Sequence, residues 1–234
     1  MPAEAEEGGD RHLEIPADAP FELKPAGSGK GWGVFATRPI KENELILKEA
    51  PVIRFTRPPH LITNNVLEKA VKRLPRKQRR QIYSLRLNGE ANAKFQSLLE
   101  CFAENEFSTS WAGGGEAWGL FLLSSRLNHY CIPNARFPTN RSKGLYNEVY
   151  AVKYIAPGDE ITFCYNPNLK ATLASDRWAK LEFKCDCKAC QSGTHFHLMS
   201  ELRRRIIRGL LFYAAPTRRH RWPQTPSRLS RTRH

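Results

Sequence analysis

Three cysteines within six residues place the strongest constraint on how this chain folds. Cys185, Cys187 and Cys190 form a Cys-x-Cys-x-x-Cys pattern. Structural zinc is held by four ligands, with sulfur at roughly 2.3 Å, so these cysteines leave a tetrahedral site one ligand short. The spacing therefore predicts that a distant segment of the chain folds back to complete a metal site.

Length and composition favour an intracellular protein with one domain and appendages. The chain has 234 residues, 41% of them hydrophobic, which is enough to bury a core. We expect no membrane contact, because no apolar run approaches the ~20 residues that span a bilayer and the acidic N-terminus does not resemble a secretory signal. In a reducing compartment the clustered cysteines favour metal over disulfides. We expect the protein in the nucleus, the cytoplasm or both.

Positive charge is concentrated in two regions of the chain. The net charge is +14, and residues 202–234 contain ten arginines and no acidic residue. Residues 68–94 contain nine basic residues against two acidic ones, which leaves 18 basic and 21 acidic residues elsewhere. The two regions predict contact with a polyanion such as a nucleosome or RNA. The alternative is that they are solvated helix faces and a disordered tail.

Hydrophobic periodicity predicts short strands interrupted by a helical unit. The glycine-rich turn at Gly27–Ala36 and the apolar stretches up to Phe55 are typical of short β-strands. Residues 61–107 carry apolar residues at three-to-four spacing, which predicts an inserted helical unit. Residues 108–116 are expected to form a loop, and the apolar stretch 117–127 a short helix.

The second half of the chain repeats this alternation. Residues 149–155 and 160–165 read as strands on either side of a Pro-Gly turn. Residues 170–181 are expected to be helical and to lead the chain into the cysteine cluster. Residues 198–213 predict an amphipathic helix.

The loop Asn128–Asn134 is the most specific motif. Its Asn-His pair, its cysteine and its Pro-Asn pair make it polar, tight and non-helical. Taken singly, each residue has an ordinary alternative: Asn128 as a turn cap, His129 as a satisfied polar side chain and Cys131 as a buried thiol.

Together, four motifs in one order resemble a known family. These are Gly31–Ala36, the Asn128–Asn134 loop, Gly158–Tyr165 and the closing cysteine cluster. The combination resembles the SET-domain protein lysine methyltransferases with a split SET domain and a post-SET zinc cluster. The resemblance spans residues 21–191 and is nearest to the SET-and-MYND group and to small fungal SET proteins.

The resemblance implies a fold that is mainly β with α-helices. Two SET halves of short strands would form a β-clip with a pseudoknot, separated by a helical insert and closed by a zinc-binding post-SET segment. The expected order is a disordered N-terminus, the N-terminal SET half, the insert, the C-terminal SET half, the post-SET segment, and a helix with a basic tail, at 1–20, 21–58, 59–116, 117–167, 168–192 and 193–234. The chain departs from the SET-and-MYND group in two ways. Its insert has only Cys101 and therefore no MYND finger, and Tyr130 stands where the family usually has serine.

The resemblance also implies an activity and a cofactor site. SET enzymes transfer a methyl group from S-adenosylmethionine to a lysine side chain of a histone or another protein. Carried over by position, the backbone at Lys30, Gly31 and Trp32 is expected to hold the methionine end of the cofactor. Asn128 and His129 are expected to bind its adenosyl part. Phe183 is expected to stack on adenine, the alternative being an ordinary core phenylalanine.

Tyr165 is the predicted catalytic residue. A lysine amine has a reference pKa of about 10.4 and must lose its proton before it attacks a methyl group, which an apolar channel favours. Alignment of the reacting atoms supplies much of the remaining effect. We therefore expect the Tyr165 phenol to orient the reactants and not to act as a general base. Room around Tyr165 and Phe163 would set the number of methyl groups added.

The resemblance nominates Cys131 as the fourth ligand of the zinc site. In the family, the cysteine of this loop joins the three cysteines of the post-SET cluster. Other candidates in this sequence are His195, His197, Cys101 and Cys164. A site with four protein ligands is structural, because no position is open for water.

Two other function classes fit parts of the sequence. One is a SET-like module that binds without catalysing a reaction. The other is a zinc-stabilised nucleic-acid-binding protein, which the arginine-rich tail favours.

Overall fold

The computed structural model describes residues 13–27, 30–85, 97–110, 116–138 and 146–214. Within these ranges the chain forms ten short strands and five α-helices. The strands are β1 (Phe21–Pro25), β2 (Trp32–Ala36), β3 (Leu45–Glu49), β4 (Ile53–Phe55), β5 (Glu106–Ser110), β6 (Glu116–Leu120), β7 (Asn128–His129), β8 (Ala135–Arg136), β9 (Asn147–Ala151) and β10 (Glu160–Phe163). The helices are α1 (Asn64–Lys72), α2 (Arg76–Tyr83), α3 (Leu98–Asn105), α4 (Ala174–Leu181) and α5 (His195–Ala214).

The strands form three small sheets, and one of them assembles the sequence motifs. Its order is β1-β2-β10-β7, while the other sheets have the orders β3-β9-β8 and β4-β6-β5. Strand β10 runs antiparallel to β2 and parallel to β7. The register places Thr162 opposite Asn128 and Phe163 opposite His129. A single strand therefore joins the glycine-rich turn to the Asn128–Asn134 loop.

The strands form because alternate residues bury apolar side chains. Strand β9 follows this period of two, with Val149 and Ala151 fully buried and their neighbours partly exposed. Val34 and Ile161, which face each other across β2 and β10, belong to the same core. This core supports the sheet that carries the motifs.

The predicted helical insert is confirmed for α1, α2 and α3. Thr63 caps α1 and Ser97 caps α3, each side chain accepting a hydrogen bond from a backbone N–H of the first turn. The apolar faces of these helices, represented by Leu67, Ile82 and Phe102, pack into a second core. That core also includes Ile53 and Leu120 of the neighbouring sheet, so the insert packs on the strands and is not a separate unit.

Two predictions next to the insert are wrong. Ser108–Ser110 belong to β5 and not to a loop, and the stretch 117–127 begins as β6 instead of forming a helix. Strand β6 lies between β4 and β5 and is hydrogen-bonded on both edges. A short apolar run buried on both sides has no period that separates strand from helix, and here the sheet partners decide.

The two C-terminal helices were predicted correctly in type. Helix α4 begins four residues later than expected, after a 3₁₀ turn at Pro167–Leu169, and α5 extends the predicted 198–213 helix at both ends. Among the helices in the described ranges, none has both the length and the apolar character that crossing a membrane requires. Residues 215–234, which hold most of the predicted basic tail, lie outside the described ranges.

Gly33 in β2 lies directly against side chains of the neighbouring segments. A Cβ atom added at this position would lie 2.8 Å from Glu160 Oε1 and 3.0 Å from Asn128 Nδ2. It would also lie 2.9 Å from the Cβ atom of Ala26. These distances are shorter than normal contacts, so glycine at this position lets Asn128 and Glu160 meet.

We predict that Gly33→Ala lowers the free energy of unfolding by about 1–3 kcal/mol, because the added methyl group overpacks this junction. Denaturant unfolding measures the change. Gly209→Ala is the matched control, since a Cβ atom there meets nothing within 4 Å and alanine favours the helix. If the unfolding midpoint of Gly33→Ala is unchanged, the neighbouring side chains accommodate the methyl group without a loss of stability.

Candidate functional site

Four buried cysteines from two distant segments converge on one point. The Sγ atoms of Cys131, Cys185, Cys187 and Cys190 all lie within 4.8 Å of one another. The Sγ of Cys131 is 3.8 Å from that of Cys185 and 3.5 Å from that of Cys190. Sulfurs at roughly 2.3 Å from a tetrahedral zinc ion lie about 3.8 Å apart, so the donor set and its spacing fit zinc.

The other candidates for the fourth ligand lie outside this cluster. His197 Nδ1 is 3.0 Å from the carbonyl oxygen of Ala189, and Cys164 donates to the carbonyl of Asn166 at 3.1 Å. Cys101 is buried in the core of the insert. The convergence therefore matches the set that the resemblance implied.

His129 links the cysteine cluster to Tyr165. Its Nδ1 accepts a hydrogen bond from the backbone N–H of Tyr165 at 3.1 Å, and its Nε2 lies 3.3 Å from the Sγ of Cys131. A backbone N–H only donates, so in the neutral ring Nε2 carries the proton and donates to sulfur. Burial lowers the pKa of His129 to about 4, which keeps the ring neutral at pH 7. Both ring nitrogens are thus engaged, and a contact with an adenosyl group would have to come from the backbone.

Asn128 is fixed by two hydrogen bonds. Its Nδ2 donates to Glu160 Oε1 at 2.7 Å and to the carbonyl oxygen of Trp32 at 3.3 Å. Asn134, in the same loop, donates to the carbonyl of Glu160 at 2.8 Å and accepts from the N–H of Thr162 at 2.7 Å. Glu160 and Asn134 were not assigned roles from the sequence, although both lie inside the motifs. Their places inside the motifs could have drawn attention to them, but no spacing in the sequence pairs two residues that are 26 positions apart.

The glycine-rich turn contacts the cysteine segment through an ion pair. Lys30 Nζ lies 2.7 Å from Asp186 Oδ1, and Asp186 stands between two of the clustered cysteines. Burial alone would lower the pKa of Lys30, but the hydrogen bond and charge of Asp186 raise it. Gly31 has a φ of 69°, a left-handed conformation that favours glycine. The predicted residues Lys30, Gly31 and Trp32 therefore border the same site as Asn128.

Tyr130 adds a further connection across the site. Its hydroxyl accepts a hydrogen bond from the backbone N–H of Lys188 at 3.1 Å. The residue that departs from the usual serine of the family thus ties the loop to the cysteine segment.

Tyr165 and Phe183 lie in a continuous group of aromatic rings. The Tyr165 ring centroid is 6.4 Å from that of Phe183, 5.3 Å from that of His129 and 5.0 Å from that of Phe163. Phe137 continues the group at 4.9 Å from Phe163. All of these rings except that of His129 are only partly buried, so the group borders accessible space.

Phe107 completes this group, at 4.9 Å from Phe137 and 5.8 Å from Phe163. Sequence reasoning missed both Phe107 and Phe137. Phe107 lies in β5, which was read as the end of a helical unit, and Phe137 follows the quoted loop motif without a recognisable pattern of its own.

The Tyr165 phenol stays protonated at neutral pH. Burial raises its pKa above the ordinary value of 10.0, and the nearby charge of Glu160 raises it further. The raised pKa means that the phenol is not ionised at neutral pH, so it is not available to act as a general base.

We predict that the wild-type chain binds one zinc ion and that Cys131→Ser loses it, because one corner of the tetrahedron is removed. Metal analysis of the folded protein checks this. Cys164→Ser is the control and should keep its zinc, since a serine hydroxyl can replace the thiol that donates to Asn166. Full zinc occupancy in folded Cys131→Ser would count against this ligand.

Comparison with known proteins identifies the family. The SET domain family model matches residues 31–166. A SET and MYND domain-containing protein of Dictyostelium discoideum is 37% identical over 90 residues, which is 37% of this chain and 25% of that protein. The mouse protein-lysine N-methyltransferase SMYD4 is 31% identical over 121 residues, 45% of this chain and 15% of the relative. The histone-lysine N-methyltransferase set5 of Schizosaccharomyces pombe is 28% identical over 182 residues, 76% of this chain and 53% of the relative.

These alignments span between 15% and 53% of the relatives' own lengths. The family match itself covers more than half of the chain, from the glycine-rich turn to the residue after Tyr165. This chain belongs to the SET domain family.

Proposed function

We propose that this protein is an S-adenosylmethionine-dependent protein-lysine N-methyltransferase. The observation that carries the proposal is that the Tyr165 ring contacts two groups of side chains. One consists of His129 and Phe183, next to the cysteine cluster. The other begins with Phe163 of the aromatic group. A cofactor site and a lysine channel would therefore meet at the phenol.

The chain offers the contacts that S-adenosylmethionine needs on the first side. The backbone around Lys30, Gly31 and Trp32 would hold its methionine end, while Asn128 and the backbone of His129 would bind its adenosyl part. Phe183 presents a partly buried aromatic face that suits stacking on a planar base. When bound, this cofactor supplies an electrophilic methyl group.

The aromatic group supplies the second side. Phe107, Phe137 and Phe163 would wall a channel that is apolar along its length and ends at Tyr165. An apolar channel disfavours the ammonium form of a lysine and so helps it to lose its proton. The number of methyl groups added would depend on the space that these rings leave.

Tyr165 would then act by orientation and electrostatics. Its raised pKa keeps the phenol neutral, so it can offer a hydrogen bond without removing a proton. The backbone N–H of Tyr165 is held by His129, which fixes the position of the residue. A fixed phenol fits a reaction that gains its rate chiefly from alignment.

Zinc would be structural and would act as a clamp in this proposal. Four thiolates leave no open position for water, so the ion takes no part in the reaction. It would tie the segment that carries Phe183 to the loop that carries Asn128 and His129. The metal is therefore expected to hold the proposed cofactor-binding residues in position without taking part in the reaction.

The substrate class follows from the relatives and not from a contact in this chain. Two of them are named as lysine methyltransferases, one of protein and one of histone. We propose a protein substrate with a target lysine, and histones are the first proteins to test.

We predict that Tyr165→Phe lowers methyl transfer by about 100-fold or more, the usual cost of removing one well-placed hydrogen-bond donor. Transfer of labelled methyl from S-adenosylmethionine to histones and to cell extract measures the rate. Tyr154→Phe is the control, because that tyrosine is 59% exposed and lies outside the aromatic group. A wild-type rate in Tyr165→Phe would refute the role of the phenol. No labelling by the wild-type protein would favour a non-catalytic binding module.

Contact with a polyanion is a second proposal, supported by the surface of the insert. Helices α1 and α2 and the turn between them expose six basic side chains, which are Lys69, Lys72, Arg73, Arg76, Lys77 and Arg80. Lys72 and Lys77 are partly offset by ion pairs with Glu68 and Glu14. The exposed basic face suits phosphate contacts on a nucleosome or RNA.

We predict that Lys69→Glu/Arg73→Glu weakens DNA binding and reduces the slope of log K against log salt by about 2, one unit for each lost phosphate contact. Salt titrations of binding to a DNA duplex measure the slope. Lys41→Glu/Lys153→Glu makes the same charge change at exposed positions away from the insert. An equal loss in both double variants would assign the effect to net charge alone.

A further inference from the structure

Two arginines are buried next to the four cysteines. Arg177 of α4 is 0% exposed, and Arg204 of α5 is 6% exposed. A guanidinium group stays charged at any pH that a folded protein tolerates, and burying it is costly unless a counter-charge is close. The position of these two charges therefore requires a compensating negative charge.

Arg177 contacts the cluster directly. Its Nη2 donates to the Sγ of Cys190 and to the carbonyl oxygen of Ala189, both at 3.2 Å. Its Nη1 donates to the carbonyl of Thr172 at 2.7 Å and to Glu201 Oε1 at 3.0 Å. Glu201 offsets part of this charge, with a side chain 15% exposed.

Arg204 has no such carboxylate. Its Nη2 donates to the carbonyl oxygen of Cys131 at 2.9 Å, and its Nη1 donates to the carbonyls of Leu169 and Lys170, both at 2.7 Å. Its Nε donates to the hydroxyl of Ser200 at 3.3 Å. Within the described ranges, all these partners are neutral. The charge of Glu201 also acts on Arg204, but the hydrogen bonds of Glu201 go to Arg177 and to the N–H of Ala174. The cysteine cluster is therefore the counter-charge available to Arg204 that is not already paired with Arg177.

A zinc ion bound by four thiolates supplies that charge. Four negative sulfurs and one divalent cation carry a net charge of −2, whereas four neutral thiols carry none. The two arginines are opposite in sign to this excess and equal to it in magnitude. Glu201, which pairs with Arg177 and also acts on Arg204 through its charge, adds one further negative charge. A cluster of neutral thiols would leave two buried arginines with the single negative charge of Glu201.

We propose that Arg177 and Arg204 are positioning residues that compensate the net charge of the zinc tetrathiolate and slow the release of the metal. The inference rests on the zinc site of the proposed function and goes beyond it, because it assigns the retention of zinc to residues that do not bind the ion. Arg177 acts through a hydrogen bond to a ligand sulfur as well as through its charge. Arg204 acts through its charge and through the carbonyl of Cys131. Arg177 therefore has the larger effect.

The test is the rate at which zinc passes from the purified full chain to a chromogenic chelator. Arg177→Met should release zinc about 10- to 100-fold faster than wild type, the usual effect of losing a partner of a metal ligand. Arg204→Met should show a smaller increase in the same direction. Arg177→Lys keeps the charge and should stay closer to wild type than Arg177→Met. Cobalt-loaded variants should keep their thiolate-to-metal charge-transfer bands, which shows that all four sulfurs still bind.

Arg126→Met is the matched control. Arg126 is also a buried arginine, 5% exposed, but it contacts Ser84 of the insert at 3.1 Å. Its loss should lower stability without changing the rate of zinc release. If Arg177→Met does not fold, Arg204→Met and Arg177→Lys carry the same comparison.

The outcomes separate this inference from the zinc site itself. A wild-type chain without one zinc per molecule would overturn the zinc site and the inference together. If the wild type contains zinc, and both Arg177→Met and Arg204→Met release it at the wild-type rate, the inference alone is overturned. The inference also fails if Arg126→Met accelerates release as much, or if Arg177→Lys is as fast as Arg177→Met. Methyl transfer is not the readout, so failure of the catalytic proposal leaves this test intact.

Discussion

The convergence of Cys131 with the cluster at Cys185, Cys187 and Cys190 is the contact on which the candidate site depends. It joins residues 54 to 59 positions apart and so closes a long loop, which has an entropic cost. The zinc ion proposed above would offset this cost, because it would bind only the folded arrangement. Because Phe183 lies two residues before the cluster, the same contact determines where its ring is placed.

Hydrogen bonds extend this constraint from the cluster to the centre of the site. His129 reaches the Sγ of Cys131 with one nitrogen and the backbone of Tyr165 with the other. Asn128, its neighbour in β7, is held by Glu160 of β10 and by the backbone of Trp32. The residues proposed for the cofactor and for the reaction are thus positioned by one connected set of polar groups. A displacement of Cys131 would therefore be passed to Tyr165 through the side chain of His129.

The sequence predicts those parts of this arrangement that depend on local chemistry. Three features can be recognised in the linear sequence: the strands bounded by glycine and proline, the helical insert and the cysteine spacing. Strand β6 leaves no recognisable pattern, because an apolar stretch between two partners is equally compatible with a helix. Strand β5 is missed for another reason, since its serines and threonine are typical of a loop. The roles of Phe107 and Phe137 were not predicted, for a related reason. Their function depends on where two separate segments meet, and an isolated phenylalanine reads as part of a core.

The orientation of α5 shows most clearly why a periodic pattern is not sufficient. The pattern predicted an amphipathic helix, and such a helix ordinarily buries its apolar face. Here the buried residues are Ser200 and Arg204, whereas Leu202 and Ile206 are 50% and 53% exposed. The surface beneath the helix explains this inversion, since it presents the backbone carbonyls of Cys131, Leu169 and Lys170, which need donors. An apolar face would have left those acceptors unsatisfied at a cost of about 1–3 kcal/mol each. The C-terminal helix therefore packs so as to supply hydrogen-bond donors to the carbonyl groups around the cysteine cluster, and not so as to bury its apolar face.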